Sequence, residues 1–184
     1  MGRKLSFCKS EALQAATDLL SAKGYEKTCM RDVSDAMHIP VASLYHSFGD
    51  KQQLLQSALD HYFEQRMKPG MTAMVEAPDS YRAIHDYFTG IIRNAKSCEG
   101  KAGCIMLHAA SELSAEVPEA AVAAKKMMAF AKEKFAAVIA RGQENGQITR
   151  SQNAEFLSAY LVAQVIALNA WLRMDASETQ LTKY

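Results

Sequence analysis

Apolar residues recur every three or four positions along nearly the whole of this 184-residue chain. No stretch alternates β-branched and polar residues between turn signals, as a half-buried strand would. A chain with that single period buries its apolar stripes by packing helix on helix, so the expected fold class is all-α. Leu13, Ala16, Leu19 and Leu20 form one stripe on a first helix over residues 9–23, with Ser10 as candidate N-cap and Gly24 as stop. Thr28 is the candidate cap of a second helix that turns Met30, Val33 and Met37 inward and ends at His38-Ile39-Pro40. A brief third helix covers 41–47. Phe48-Gly49-Asp50 then supplies a stop and an Asp cap for a fourth, which runs from Lys51 through Phe63. After Lys68-Pro69-Gly70 the composition shifts towards Ala and Met, and further helices are expected at about 80–96, 103–113, 118–145 and 151–173.

Charge and composition narrow the function classes. The 21 Lys and Arg residues nearly balance 20 Asp and Glu, leaving a net charge of +1, so the chain has no bulk cationic field and any contact with nucleic acid has to be local. Four prolines, nine glycines and a charged fraction of 22% exclude disordered and collagen-like classes. The most apolar stretch, 156–172, is interrupted by Ser158, Gln164 and Asn169, and the first residues have no secretory apolar region. The expectation is a cytoplasmic protein without a membrane span. Its four cysteines form no CxxC pair and are expected to be reduced thiols. There is no HxxxH, carboxylate-rich cluster, Ser-His-Asp arrangement or phosphate-cradling glycine loop, so neither a metal, a cofactor nor an enzymatic activity is expected.

Two short helices joined by a tight turn and preceded by a longer one make a helix-turn-helix unit, whose second helix enters the DNA major groove. Around it stand groups suited to phosphate: the Thr28 hydroxyl, the polar tips of Tyr45 and His46, and Lys51 at the start of the next helix. The run Ala12-Leu13-Gln14-Ala15-Ala16, Lys23-Gly24-Tyr25, Thr28, Arg31-Asp32-Val33 and Ser43-Leu44-Tyr45-His46-Ser47-Phe48-Gly49-Asp50-Lys51 resembles the DNA-binding domain of TetR/AcrR transcriptional regulators over roughly residues 9–63. The resemblance implies a DNA-binding domain, here residues 1–50, and a larger helical domain, 51–184, that binds a small-molecule effector and forms a homodimer on a double-stranded palindromic operator. The fourth helix is shared between the two.

Carried over by position, the resemblance makes Thr28, Tyr45, His46 and Lys51 phosphate contacts, and puts Val41, Ala42 and Ser43 where base edges are read. Val41 and Ala42 offer only apolar contact, such as a thymine methyl, so DNA shape or an arm containing Arg3 and Lys4 would share the reading. Asp32 and Asp35 are expected to face away from the duplex or to pair with Arg31 or Lys27.

The second half is rich in residues that suit either a core or a plastic cavity, among them Met67, Met71, Met74, Tyr87, Ile91 and Met128. Tyr81, His85, Phe88, Met106, His108, Met127 and Phe130 are the candidate effector contacts. An alternative places Cys104, near a helix start and close to Lys101, as a reactive thiol with Cys98 as its resolving partner in a redox-sensing repressor. A rival of another class is an all-α ligand-binding scaffold or enzyme that does not bind DNA. The helix at 151–173 is apolar almost all round, which implies burial on two sides, by the core and by a second subunit.

Overall fold

The computed structural model describes residues 7–97, 105–111 and 117–174. Among them every regular element is helical: α1 (Lys9–Lys23), α2 (Met30–Met37), α3 (Val41–Phe48), α4 (Lys51–Tyr62), a π-turn (Phe63–Met67), α5 (Lys68–Glu76), α6 (Ser80–Ser97), α7 (Ile105–Ser111), α8 (Pro118–Glu144) and α9 (Ala154–Arg173).

Two apolar cores organise these helices. The first gathers Ala12 and Ala16 of α1, Val33 and Met37 of α2, Leu44 and Phe48 of α3 and Leu54 of α4. The second takes Leu55, Ala58 and Leu59 from α4 and continues through Met67, Met71, Met74, Phe135, Val138 and Ile139. Leu54 and Leu55 are adjacent and point into different cores, so α4 is the beam common to both. Thr17, fully buried on α1, donates its hydroxyl to Leu13 O at 2.7 Å and reaches Ala58 O of α4 at 3.3 Å, fixing the two helices against each other.

The helix ends correct two sequence expectations. Cys8, not Ser10, precedes the first turn of α1. Cys29, not Thr28, caps α2: its Sγ accepts from Asp32 N at 3.5 Å while the Asp32 carboxylate accepts from Cys29 N at 2.7 Å. A sulfur can fill the place of a capping hydroxyl because Asp32 supplies the stronger half of the reciprocal pair.

Lys68-Pro69-Gly70 does not interrupt the helical path. Proline in a helix lacks an N–H and its ring crowds the carbonyl four residues back, here that of Gln65. The preceding turn widens: the N–H of Lys68 reaches back five residues to Phe63 O, and the chain passes from α4 into α5 through a π-turn.

α8, at 1.5 Å rise per residue about 40 Å long, crosses the second core and packs along α9. Arg141 near its end donates to Ser80 Oγ at 3.1 Å, to Ala77 O at 2.7 Å and to Val75 O, so one side chain satisfies carbonyls at the end of α5 and holds the α5–α6 corner. Gly142 allows the close approach: a Cβ there would sit 2.8 Å from Ser80 Cβ and 2.7 Å from Ile148 Cδ1.

By length and composition Ala154–Leu172 is apolar enough to cross a membrane. It instead lies against α8, contributing Val165 to the core, and leaves Phe156 and Tyr160 exposed.

Candidate functional site

α3 is set in place by its two buried residues. Leu44 and Phe48 anchor one face in the first core, and the spacing of an α-helix then forces Val41, Ala42, Tyr45 and His46 outward as two i,i+4 pairs. Tyr45 is 50% exposed. Ser43 lies half-buried on the flank of this strip.

The turn that aims α3 lies at His38-Ile39-Pro40, as the sequence reading has it, and is fixed by Ser34, which that reading did not single out. His38 ends α2 in the left-handed conformation, φ 56°, and its N–H returns to Asp35 O at 3.3 Å. Ile39 N donates to Ser34 O at 3.0 Å, and the buried Ser34 hydroxyl donates to Ile39 O. Pro40 then opens α3. At the far end Gly49 has φ 76°, and the Asp50–Gln53 capping box starts α4, with Gln53 N to Asp50 Oδ1 at 2.9 Å and Asp50 N to Gln53 Oε1 at 3.0 Å. The signal for Ser34 was available: a small polar residue five positions before the turn, on the inward face of α2 beside Val33 and Met37.

Thr28 departs from the expectation. It is 1% exposed, its hydroxyl donates to Gly24 O at 2.6 Å and its N–H to Tyr25 O at 3.1 Å, so both its donors close the α1–α2 corner rather than face a phosphate. Lys51, at the first position of α4, has its ammonium 4.1 Å from the centre of the Tyr25 ring, a cation–π contact that holds it at the same corner. Asp32 pairs with Lys23 at 2.7 Å, not with Arg31 or Lys27. The Lys23 ammonium, followed by the N–H of Cys29, holds the Asp32 carboxyl well below the usual carboxylate range, so its negative charge is neutralised by a fixed partner.

A half-open cavity of about 440 Å3 lies in the second core. Its wall includes Met67, Met71, Met74, Met106 and Met128, with Tyr62 and Tyr87. Of the seven candidate effector contacts, Met106 lines this cavity and Met127 lines a second one of about 430 Å3 between α4 and the start of α8. The other five line neither. Tyr81 is 68% exposed, and His85 sits on the outer face of α6, 3.2 Å from Asp86. Phe88 packs tilted against Phe135 with ring centres 6.2 Å apart, and Phe130 meets Phe63 edge to face at 5.1 Å. His108 is buried with Nε2 3.1 Å from Ser21 O, a tie from α7 to α1. Composition had marked these side chains as apolar or polar without telling which face each would occupy. Cys98 and Cys104, like Arg3 and Lys4, lie outside the described residues.

On the cavity wall, Arg66 in the π-turn donates to Asp18 of α1 at 3.0 Å. His61, one turn earlier, is pushed below its ordinary value first by burial and then by the Arg66 charge, with Asp18 opposing. The folded state therefore takes up the His61 proton less readily than the unfolded chain. Its contribution to stability is present above the ordinary histidine value of about 6.5 and is lost as pH falls through the lower folded value. Urea unfolding midpoints should drop between pH 7.5 and 5.5, and His61→Gln should flatten that drop; an unchanged slope would show that His61 does not carry it.

The chain matches the family model for bacterial regulatory proteins of the tetR family over residues 12–58 and the model for the tetracyclin repressor-like C-terminal domain over residues 80–184. It is 26% identical over 181 residues to the HTH-type transcriptional repressor ComR of Escherichia coli (strain K12), covering 98% of this chain and 86% of that protein. To the HTH-type transcriptional regulator YezE of Bacillus subtilis (strain 168) it is 27% identical over 183 residues, covering 98% of this chain and 94% of that protein. Among solved structures, a cysteine mutant of the TetR family transcriptional regulator CifR complexed with 26bp double-strand operator DNA superposes with a TM-score of 0.81. At 24% identity, covering 98% of this chain and 94% of that one, that likeness is one of fold. The two family models take in the first core with the exposed α3 and most of the second core, and the chain belongs to the tetR family: it is a helix-turn-helix transcriptional regulator, not an enzyme.

Proposed function

We propose that this regulator is a cytoplasmic homodimeric repressor that reads a palindromic operator with α3 and is released from it by a small molecule bound in the second core. The observation that carries the reading is the outward strip Val41, Ala42, Tyr45 and His46 on a short second helix of a helix-turn-helix, locked in place by Leu44 and Phe48. Tyr45, His46 and Lys51 serve as backbone contacts, and Val41, Ala42 and Ser43 as base contacts. In this reading, residues 1–50 form the DNA-binding domain and 51–184 the effector and dimerisation domain. The exposed Phe156 and Tyr160 of α9 and Val122 of α8 supply the apolar surface that a second copy would cover.

The mechanism follows from α4. One end carries Lys51 beside the helix-turn-helix, the other runs into the cavity wall at Tyr62, and Gln52 near its start donates to Glu119 of α8 at 2.9 Å. A ligand that favours one arrangement of the cavity wall shifts the population of α4 orientations, and with it the spacing of the two recognition helices.

Mutagenesis separates positioning from reading. Lys51→Ala should weaken binding to all sequences alike and reduce the salt slope by about 1, whereas Ser43→Ala should alter base preference at one position. Equal, sequence-independent losses for both variants, measured by fluorescence anisotropy on an operator and its point variants, would overturn this division of roles.

A further inference from the structure

The cavity has a charged wall whose use is not explained by packing. Among its described lining residues, Arg66 is the one cation and Asp86 the one anion; the rest are apolar, aromatic or amide groups. The two charges are held differently. Asp86 faces solvent and is already engaged by its own helix, 3.7 Å from Arg82 and 3.2 Å from His85. Arg66 reaches out of the second core to a carboxylate of another helix, Asp18 on α1, at 3.0 Å. That pair is about half exposed, 42% and 45%, so solvent screens it and it can be exchanged at little cost. A guanidinium has five N–H donors in a fixed fork, and a second carboxylate presented from the cavity would meet the same geometry that Asp18 now satisfies.

The rest of the wall sets the body of the ligand. Five methionines give a surface that is apolar, polarizable and adaptable in shape, and about 440 Å3 is at the small end of ligand cavities. Asp86, also on the wall, disfavours a second negative charge. Arg66 also sits in the π-turn, where the ladder is already out of the regular α-helical register and a one-residue shift is least costly.

Resting on the reading of this cavity as the effector site, we propose that its ligand is an apolar monocarboxylate, aromatic or aliphatic, whose carboxylate takes Arg66 from Asp18. Occupancy then unfastens α1 from the π-turn below α4. The Thr17–Ala58 contact, the His108–Ser21 tie and the packing of α1 on α4 remain, so the helix-turn-helix stays attached but loses the ion pair between α1 and the π-turn that resists its reorientation. The ligand's advantage for the released arrangement is the Arg66 contact itself, which supplies the differential affinity a population shift requires.

The test uses the full chain and two matched probes, 4-butylbenzoate and 4-butylbenzamide, titrated calorimetrically into wild type, Arg66→Gln and Asp18→Asn, with the fold of each variant checked by circular dichroism. The carboxylate is expected to bind wild type at least tenfold tighter than the amide. Arg66→Gln should abolish that preference while leaving amide binding unchanged. Asp18→Asn should tighten carboxylate binding several-fold, because the competing anion is gone, an outcome that a merely structural ion pair would not give. If carboxylate and amide bind wild type equally, or if Asp18→Asn fails to tighten the carboxylate, the proposal is overturned while the cavity remains a ligand site. If neither probe binds, the proposal falls, and if a panel of uncharged aromatics also fails to bind, the reading of the cavity as the effector site falls with it.

Discussion

Phe135→Ala is expected to lower stability by about 3–5 kcal/mol, the range for truncating a buried phenylalanine. Phe135 is fully buried in the middle of α8, with Tyr87 edge-on at 5.5 Å and Phe88 at 6.2 Å. Those rings come from α6 and cannot follow an alanine inward without breaking the fit of α6 against α8, so the void would not collapse. In a chain of this length the loss corresponds to a fall in Tm on the order of 10 °C, readable by calorimetry. Phe135→Leu should recover most of it. A fall of under 2 °C for the alanine variant would mean that α6 and α8 repack freely and that the second core is not the rigid frame described above.

Arg141→Met is the other large effect, expected at about 3 kcal/mol from the loss of charge-assisted bonds and the orphaning of backbone carbonyls. Its guanidinium is the partner of Val75 O, Ala77 O and Ser80 Oγ, and methionine fills the stem but none of these bonds. Arg141→Lys should behave nearly as badly, since a single ammonium cannot span the three acceptors in the geometry of the fork. The loss should be local before it is global: amide exchange near residues 75–80 should accelerate more than exchange in α1. Uniform acceleration throughout would show that Arg141 does not act through the α5–α6 corner.

The contrast between these residues and α3 shows what was legible in the chain. Gly24, Pro40, Gly49 and Asp50 act through the local backbone, and local chemistry is written in order along a sequence. The bounds of α2 and α3 follow from it almost to the residue. Tyr45 and His46 could be placed outward because Leu44 and Phe48 define the inward face of an eight-residue helix. Thr28 was misread because two adjacent residues, Thr28 and Cys29, compete for one capping position. The decision turns on Gly24 O, a partner that only the folded corner brings within 2.6 Å of the Thr28 hydroxyl.

In the second half the same period of 3.6 marks both core and cavity wall, so the sequence could not separate Phe135, which is packed, from Met71, which faces the void. Arg66 and Asp18 lie 48 residues apart, and no motif joins them. Their meeting depends on the π-turn, itself a response to Pro69, which in the sequence marks only a shift of composition.

The central claim is that α3 reads a specific DNA site, and the most direct measurement is selection of bound fragments from sheared genomic DNA of the source organism by the reduced full-length protein. A Tyr45→Ala, His46→Ala double variant run in parallel serves as control, and the best fragment is titrated across salt concentrations. The account predicts enrichment of one palindromic sequence, a steep linear fall of log affinity with log salt, and no enrichment by the double variant. Equal enrichment by the double variant, or none by the wild-type protein, would contradict it.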